Sequence, residues 1–494
     1  MKSIAVMPKI EIALGERTIS QTDLRCLSRI SVLQKLSHPT VCEVVFKPTD
    51  HGFSDLYPCR KQSVLSVFVK GEIFPLFRGI ITAVETRYNP DGSMTLLVRG
   101  YDALYFSGKK QRIHTHLETT IPEMAKEMTK DSGIGIKALE AGPVWRQLVQ
   151  YRETDLDFLA RMAQRSGLYF MVNRENNLEI MNLSGNDDLV FLTRGDDLFE
   201  LSVETNDAPV LSSVYASGWD PFLAEFHDGH SSSDSSDGQE RKLMDIALRS
   251  RLEAETISKA ELDRCRACET SIKGVADGNS RLMPGVTVII GGIHPLLKKD
   301  FVLTEVAHTL ATDTGYVSEF TSVPPDFRNS DTGSSATFGM VIDIDDPEHL
   351  GRIKASLPSF ENAETDWMNV VLPAAGKNKG AIMLPDVGDQ VLILFLNNDP
   401  ARGVVAGSVF GSAQQPPDWG IEDNKVKRYC FVTPEGQKLT LDDDKQGVKI
   451  ENRGGSYLEI YPETVTLHSA TDLVIQAPEK KITILGQTID FKKG

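Results

Sequence analysis

The chain has 494 residues, 40% of them hydrophobic, with 69 acidic against 53 basic side chains and a formal net charge of −16. That length calls for several domains, and the charge argues against nucleic-acid binding or passive docking on anionic lipid, both of which need a positive surface. No apolar run of about 18 residues is present, so no transmembrane helix is expected.

The N-terminal MKSIAVMPKIEIALG lacks the sustained apolar core and cleavage site of a secretory signal. Assembly in the cytoplasm follows, with six scattered cysteines kept as reduced thiols. Residues 1–110 read mainly as strands. Ser63–Val69 and Phe77–Val84 are apolar runs, and Tyr88–Ser93 supplies a turn before Met94–Arg99. Short strands at turn-rich spacing suggest a barrel or a sandwich. Residues 111–197 mix helix and strand. The clearest helix is Thr154–Ser166: Thr154 caps it, Asp157 sits where a capping-box acid belongs, and Leu156, Leu159, Ala160 and Ala163 form an apolar stripe. Gly167 suits the left-handed stop before the strand Leu168–Val172.

Strand character returns over 198–328. There the low-complexity Asp228–Gly238 is expected as a mobile exposed loop, and residues 240–272 as helix. Asn329–Ala336 reads as a linker. Residues 337–411 hold five short strands, as an OB-type barrel requires. Residues 412–428 form a second linker.

The segment 429–494 is a ladder of very short strands. Leu439 and Leu441 start it, then Val448 and Ile450, Leu458 and Ile460, Val465 and Leu467, Leu473 and Ile475, Ile482 and Ile484, and Ile489 and Phe491. Each pair flanks one residue that is usually polar, so both apolar side chains point inward and the middle one outward. Strand starts are 9, 10, 7, 8, 9 and 7 residues apart. A single-chain β-helix needs roughly three such strands per coil and several coils, and seven strands make only about two. Three chains wound around one axis solve this, each supplying one side of a triangular prism. The expectation is a homotrimer ending in a rigid needle, with those fourteen residues as its core.

Candidate chemistry is sparse. His114 and His116 fall on one strand face, a candidate metal pair, but no third ligand lies nearby in sequence and a surface pair is the reading. His468 is out of phase with Val465 and Leu467 and is expected to face solvent rather than a trimer axis. Asp442, Asp443 and Asp444 read as a solvated turn. Asp155 and Asp157 complement a helix dipole. Cys265 and Cys268 have metal-ligand spacing but no second pair. Gly285–Gly292 lacks the lysine of a phosphate loop, and no hydrolase or metalloprotease motif is present. No catalytic residue, metal or cofactor is therefore assigned.

Three segments carry a resemblance. The run Gln150–Phe170, the sequence Gly218-Trp-Asp-Pro221, and the module with Asp346-Pro-Glu-His-Leu-Gly-Arg352, Pro385–Val391 and Asn398–Gly407 together resemble the VgrG-like spike proteins of contractile injection systems and their phage-tail relatives. The terminal ladder follows in the expected order. The resemblance implies a mainly β fold with minor α: hub β-barrel 1 over 1–110, a helical and strand connecting region over 111–197, hub β-barrel 2 over 198–328, an OB-fold domain and a trimeric triple-stranded β-helix. It implies a structural, non-enzymatic spike at the centre of a baseplate, matching a hexameric inner tube to a threefold needle that pierces a target envelope. Implied partners are two further copies, the inner tube protein, baseplate proteins, a PAAR-type tip at the C-terminal end, and cargo or effector proteins, with no nucleic acid. Without an inserted lysozyme-like domain or trailing effector, the compact form resembles phage-like and extracellular contractile particles. The alternatives are a baseplate-associated cell-wall hydrolase, which needs paired carboxylates around a cleft, and a trimeric glycan-binding tail protein.

Overall fold

The computed structural model describes all residues except 1–6, 16, 48–62, 152, 221–224, 234–237, 245, 247, 326–334, 361, 412–414, 416–419 and 493–494. The chain divides into two compact units, residues 1–408 and 409–494. Among the described residues no helix is long and apolar enough to cross a membrane.

The larger unit is organised by one 11-stranded sheet. Its order runs Leu198–Thr205, Thr270–Asp277, Gly315–Thr321, Glu305–Ala311, Leu27–Lys35, Val41–Phe46, Met94–Tyr101, Phe77–Tyr88, Val64–Val69, Ile10–Leu14 and Arg17–Thr18. Alternation drives these strands: Cys42, Val44 and Phe46 are buried while Val41, Glu43 and Val45 are only half-buried. The two ends of the sheet come from distant parts of the chain. They meet where Glu305–Ala311 pairs antiparallel with Leu27–Lys35, Val306 opposite Gln34 and Leu310 opposite Ile30. Two cores lie on the sheet. One gathers Ile30, Val44, Phe46, Leu65 and Phe77; the other gathers Leu192, Val288, Ile290, Val306 and Phe320.

The helices Ile121–Met128 and Asp155–Arg165 build a third core with Met124, Phe158, Leu159, Phe170 and Leu178. Thr154 caps the second helix: its Oγ1 accepts from the Asp157 amide at 3.1 Å and donates to the Asp157 carboxylate at 2.7 Å. Gly167 then takes a φ of 71°, a left-handed conformation that costs glycine little.

Two expectations over 228–272 need correction. Glu225–Ser232 is a strand, paired antiparallel with Leu211–Asp220; the tip of the expected loop lies outside the described residues. Within it His227 and Gly229 are buried and Asp228 and His230 exposed. Glycine and serine composition hides this period of two. The inward positions face the helix Arg251–Glu269, where Ser231 Oγ and Ser258 Oγ share a hydrogen bond of 2.9 Å. Gln239–Leu243 is also a strand, parallel to Leu211–Asp220, so the helix begins at Arg251.

The OB-type module is a six-stranded sheet in the order Ala363–Glu364, Lys354–Leu357, Ser335–Asp343, Gln390–Phe395, Gly403–Ser408 and Asn369–Val370. Val341, Ile353, Ile393, Phe395 and Val405 fill its interior. Tyr151 joins this core from the connecting region, and its hydroxyl donates to the Asn398 carbonyl at 3.1 Å.

Candidate functional site

The C-terminal unit is a five-stranded antiparallel meander of Arg428–Val432, Lys438–Asp442, Gly447–Glu451, Tyr457–Ile460 and Val465–His468. Its register lines up the apolar positions. Phe431, Leu439, Ile450, Leu458 and Leu467 stand opposite one another across successive strands, as do Tyr429, Leu441, Val448, Ile460 and Val465. Successive residues of a strand alternate faces, so both rows share one side of the sheet. That side is uncovered in one copy of the chain: Ile450 is 52% exposed, Leu467 59% and Val465 69%.

The other side is mostly polar and self-satisfied. Lys449 pairs with Glu451 at 2.8 Å and lies over the Tyr457 ring, which stacks on His468 at 4.9 Å between ring centres. His468 therefore belongs to the polar side. Tight turns join the strands, with Gln446 at a φ of 50° and Gly455 at 88°. Asp442, Asp443 and Asp444 form one of them. Asp442 accepts from the Lys445 amide at 2.9 Å, and Asp444 pairs with Lys427 at 2.9 Å.

The expected strands at Leu473–Ile475, Ile482–Ile484 and Ile489–Phe491 are not formed. The described residues beyond His468 make no ladder pairing, and Leu473, Ile475, Ile482, Ile484, Ile489 and Phe491 are all exposed. A strand exists by pairing its backbone groups, and these segments do not pair with the free edge of Val465–His468, the last strand of the meander.

In the larger unit the sequence-marked polar residues find structural partners. Asp155, in the first turn of its helix, is fully buried: Arg112 grips it through Nε and Nη2, both at 2.8 Å, and Gln150 donates to it at 2.9 Å. Cys265 sits in the helix beside Glu261 and Arg241 (Nη1 to Sγ 3.4 Å), and burial pushes its thiol pKa up. His114 and His116 share the face of the strand His114–Thr119 and meet Glu127, from the helix Ile121–Met128. Burial and the neighbouring His114 lower the pKa of His116. Reading along the sequence missed Glu127. The available signal was the capping pair Thr120 and Glu123, which folds a helix back against the strand just before it.

Comparison with known proteins gives these features a context. Residues 34–314, more than half of the chain, match the family described as phage tail baseplate hub (GPD), and residues 337–410 match the type VI secretion system/phage-baseplate injector OB domain. Among curated proteins the chain is 23% identical over 369 residues to the actin cross-linking toxin VgrG1 of Vibrio cholerae, covering 62% of this chain and 32% of that protein. It is 24% identical over 424 residues to the type VI secretion system spike protein VgrG4b of Pseudomonas aeruginosa, covering 73% and 50%. The chain thus spans half or less of these two relatives' length. Among solved structures, the fold is similar to an E. coli component of the type VI secretion system described as resembling the T4 phage tail proteins gp27 and gp5. That likeness has a TM-score of 0.54 at 15% identity, over 81% of this chain and all of that one. The VgrG complex with PdpA from Francisella also has a TM-score of 0.54, at 9% identity, over 93% of this chain and 79% of that one. With its sheet, its OB module and the long family match in agreement, the chain belongs to the phage tail baseplate hub (GPD) family.

Proposed function

We propose that this baseplate hub protein also serves as the spike: residues 1–408 seat the inner tube, and the C-terminal segment joins two further copies in a triangular needle that transmits contraction force to a target envelope. The observation that carries the reading is the pair of apolar rows on one side of the C-terminal sheet. Full burial of a valine, leucine, isoleucine or phenylalanine side chain stabilises by about 1.5–3 kcal/mol, and nine such side chains line up with Tyr429 on each copy. Exposed contiguous apolar surface of this kind marks an interface. Two further walls of the same type cover it and give the segments 473–475, 482–484 and 489–491 edges to pair with. Dense pairing supplies the stiffness that a force-bearing rod needs. The partners this reading implies are the inner tube, baseplate proteins and a PAAR-type tip.

The test is a low-resolution image of native particles in which the chain carries a bulky fused label. Label density on the particle axis at the baseplate supports the proposal. Density along the tube wall or on peripheral fibres contradicts it.

A further inference from the structure

We propose that His114, His116 and Glu127 form a binding site for a divalent transition-metal ion of the zinc class, which clamps the strand His114–Thr119 to the helix Ile121–Met128. Glu127 reaches both imidazoles, Oε1 lying 3.2 Å from His114 Nε2 and Oε2 lying 3.3 Å from His116 Nδ1. One nitrogen from each histidine and one carboxylate oxygen lie within 4.8 Å of one another. Zinc holds nitrogen and oxygen ligands at about 2.0–2.1 Å, which sets tetrahedral donors roughly 3.3 Å apart. Each imidazole nitrogen stands at that spacing from one oxygen of the Glu127 carboxylate, and rotation of the half-exposed His114 ring and of the carboxylate closes the three groups onto one ion.

The site is built on one side and open on the other. The His116 side chain is 2% exposed and lies against the Phe158 ring, 5.7 Å between centres at 16°. Its Nε2 is buried with no hydrogen-bond partner among the described residues, so Nδ1, which faces Glu127, is its one polar engagement. His114 and Glu127 are each about two-fifths exposed, leaving an approach for the ion and room for water in the remaining positions. Arg112 lies 3.6 Å from Glu127, but Asp155 holds the same guanidinium through two 2.8 Å hydrogen bonds and offsets its charge. Two imidazoles and one carboxylate suit zinc, nickel or copper and not the all-oxygen coordination of calcium or magnesium.

The full chain, prepared without a histidine tag, is titrated with Co2+ followed by Zn2+ and its bound metal counted after dialysis. One ion per chain, with cobalt absorption bands that zinc abolishes, is expected. His114→Ala and Glu127→Gln, both at half-exposed positions, each weaken binding more than about tenfold. The double variant Cys265→Ser, Cys268→Ser binds as the unaltered chain does. Absence of stoichiometric metal in the unaltered chain overturns the proposal. So does binding that survives in both His114→Ala and Glu127→Gln, or binding that the double cysteine variant loses.

Discussion

Asp346 and Arg352 close a loop of the OB module on itself: the Arg352 guanidinium donates to the Asp346 carboxylate from Nε at 3.0 Å and from Nη2 at 2.5 Å. The same carboxylate accepts from the amides of Glu348, Leu350 and Arg352, and both side chains are buried. His349 and Gly351 take the left-handed conformations that the tight path requires. The Arg352 guanidinium, followed by the amide donors, holds the Asp346 carboxyl well below the usual carboxylate range. Asp346→Asn takes the buried counter-charge from a guanidinium that keeps the largely exposed Glu348 carboxylate 3.3 Å away, a loss of about 3 kcal/mol. Amide exchange in Gln390–Phe395 is predicted to accelerate about a hundredfold. A carboxyl depressed on folding stabilises above the unfolded-state pKa of about 4, so the unaltered module loses this contribution as pH falls below that value. The variant loses none there.

On the C-terminal sheet, Ile450 lies in the middle of one apolar row and Thr466 on the opposite side. Ile450→Asp places a charge in the proposed three-chain interface, where an unpaired charge is costly. Predominantly monomeric chains are predicted on size exclusion with light scattering, while Thr466→Lys leaves assembly unchanged. Equal behaviour of the two variants counts against the face being buried.

His308 links the larger unit to pH. It is fully buried: Nε2–H donates to the Leu282 carbonyl at 3.1 Å, and Nδ1 accepts from the Ser318 hydroxyl at 2.9 Å. Burial lowers its pKa to about 4, with Arg174 adding a smaller push. The unfolded chain binds this proton near pH 6.5, so the histidine's contribution is fully present above that value and declines as pH falls towards 4. Over that window the loss amounts to about 3 kcal/mol. In calorimetric scans between pH 7 and 4.5, the larger unit's transition is predicted to fall more steeply in the unaltered chain than in His308→Asn.

Gly229 touches helix backbone. A Cβ there meets the Glu255 amide nitrogen and the Ala254 carbonyl group. Gly229→Ala therefore forces the strand Glu225–Ser232 away from the helix Arg251–Glu269, an overpacking cost of about 1–3 kcal/mol. Faster amide exchange across the first turns of that helix is predicted, with the strand Val41–Phe46 unaffected.

The apolar ladder was legible because strand periodicity is local: alternate residues share a face wherever the strand later pairs. Which edges it pairs with is not local, and so the segments from Leu473 onward read as strands yet stay unpaired in one copy. Asp228–Ser232 was misread because glycine and serine carry almost no hydropathy signal, although Gly229 and Ser231 occupy the inward phase. Asp155 does stand in the first turn of its helix, but its ion pair with Arg112 was not legible because the two lie 43 residues apart. Glu127 escaped notice as the third group beside His114 and His116 for a related reason, since only the folded-back helix brings it there. Gly218 in the Gly-Trp-Asp-Pro segment owes its identity to the Ile246 carbonyl, which leaves no room for a Cβ.

The most direct measurement is the mass of the full chain by light scattering at micromolar concentration, with limited proteolysis of the same sample. The account predicts a particle of three 54.5 kDa subunits whose residues 429–494 resist digestion. A monodisperse single subunit whose C-terminal segment is equally resistant contradicts it, because one copy would then have hidden its apolar rows without help.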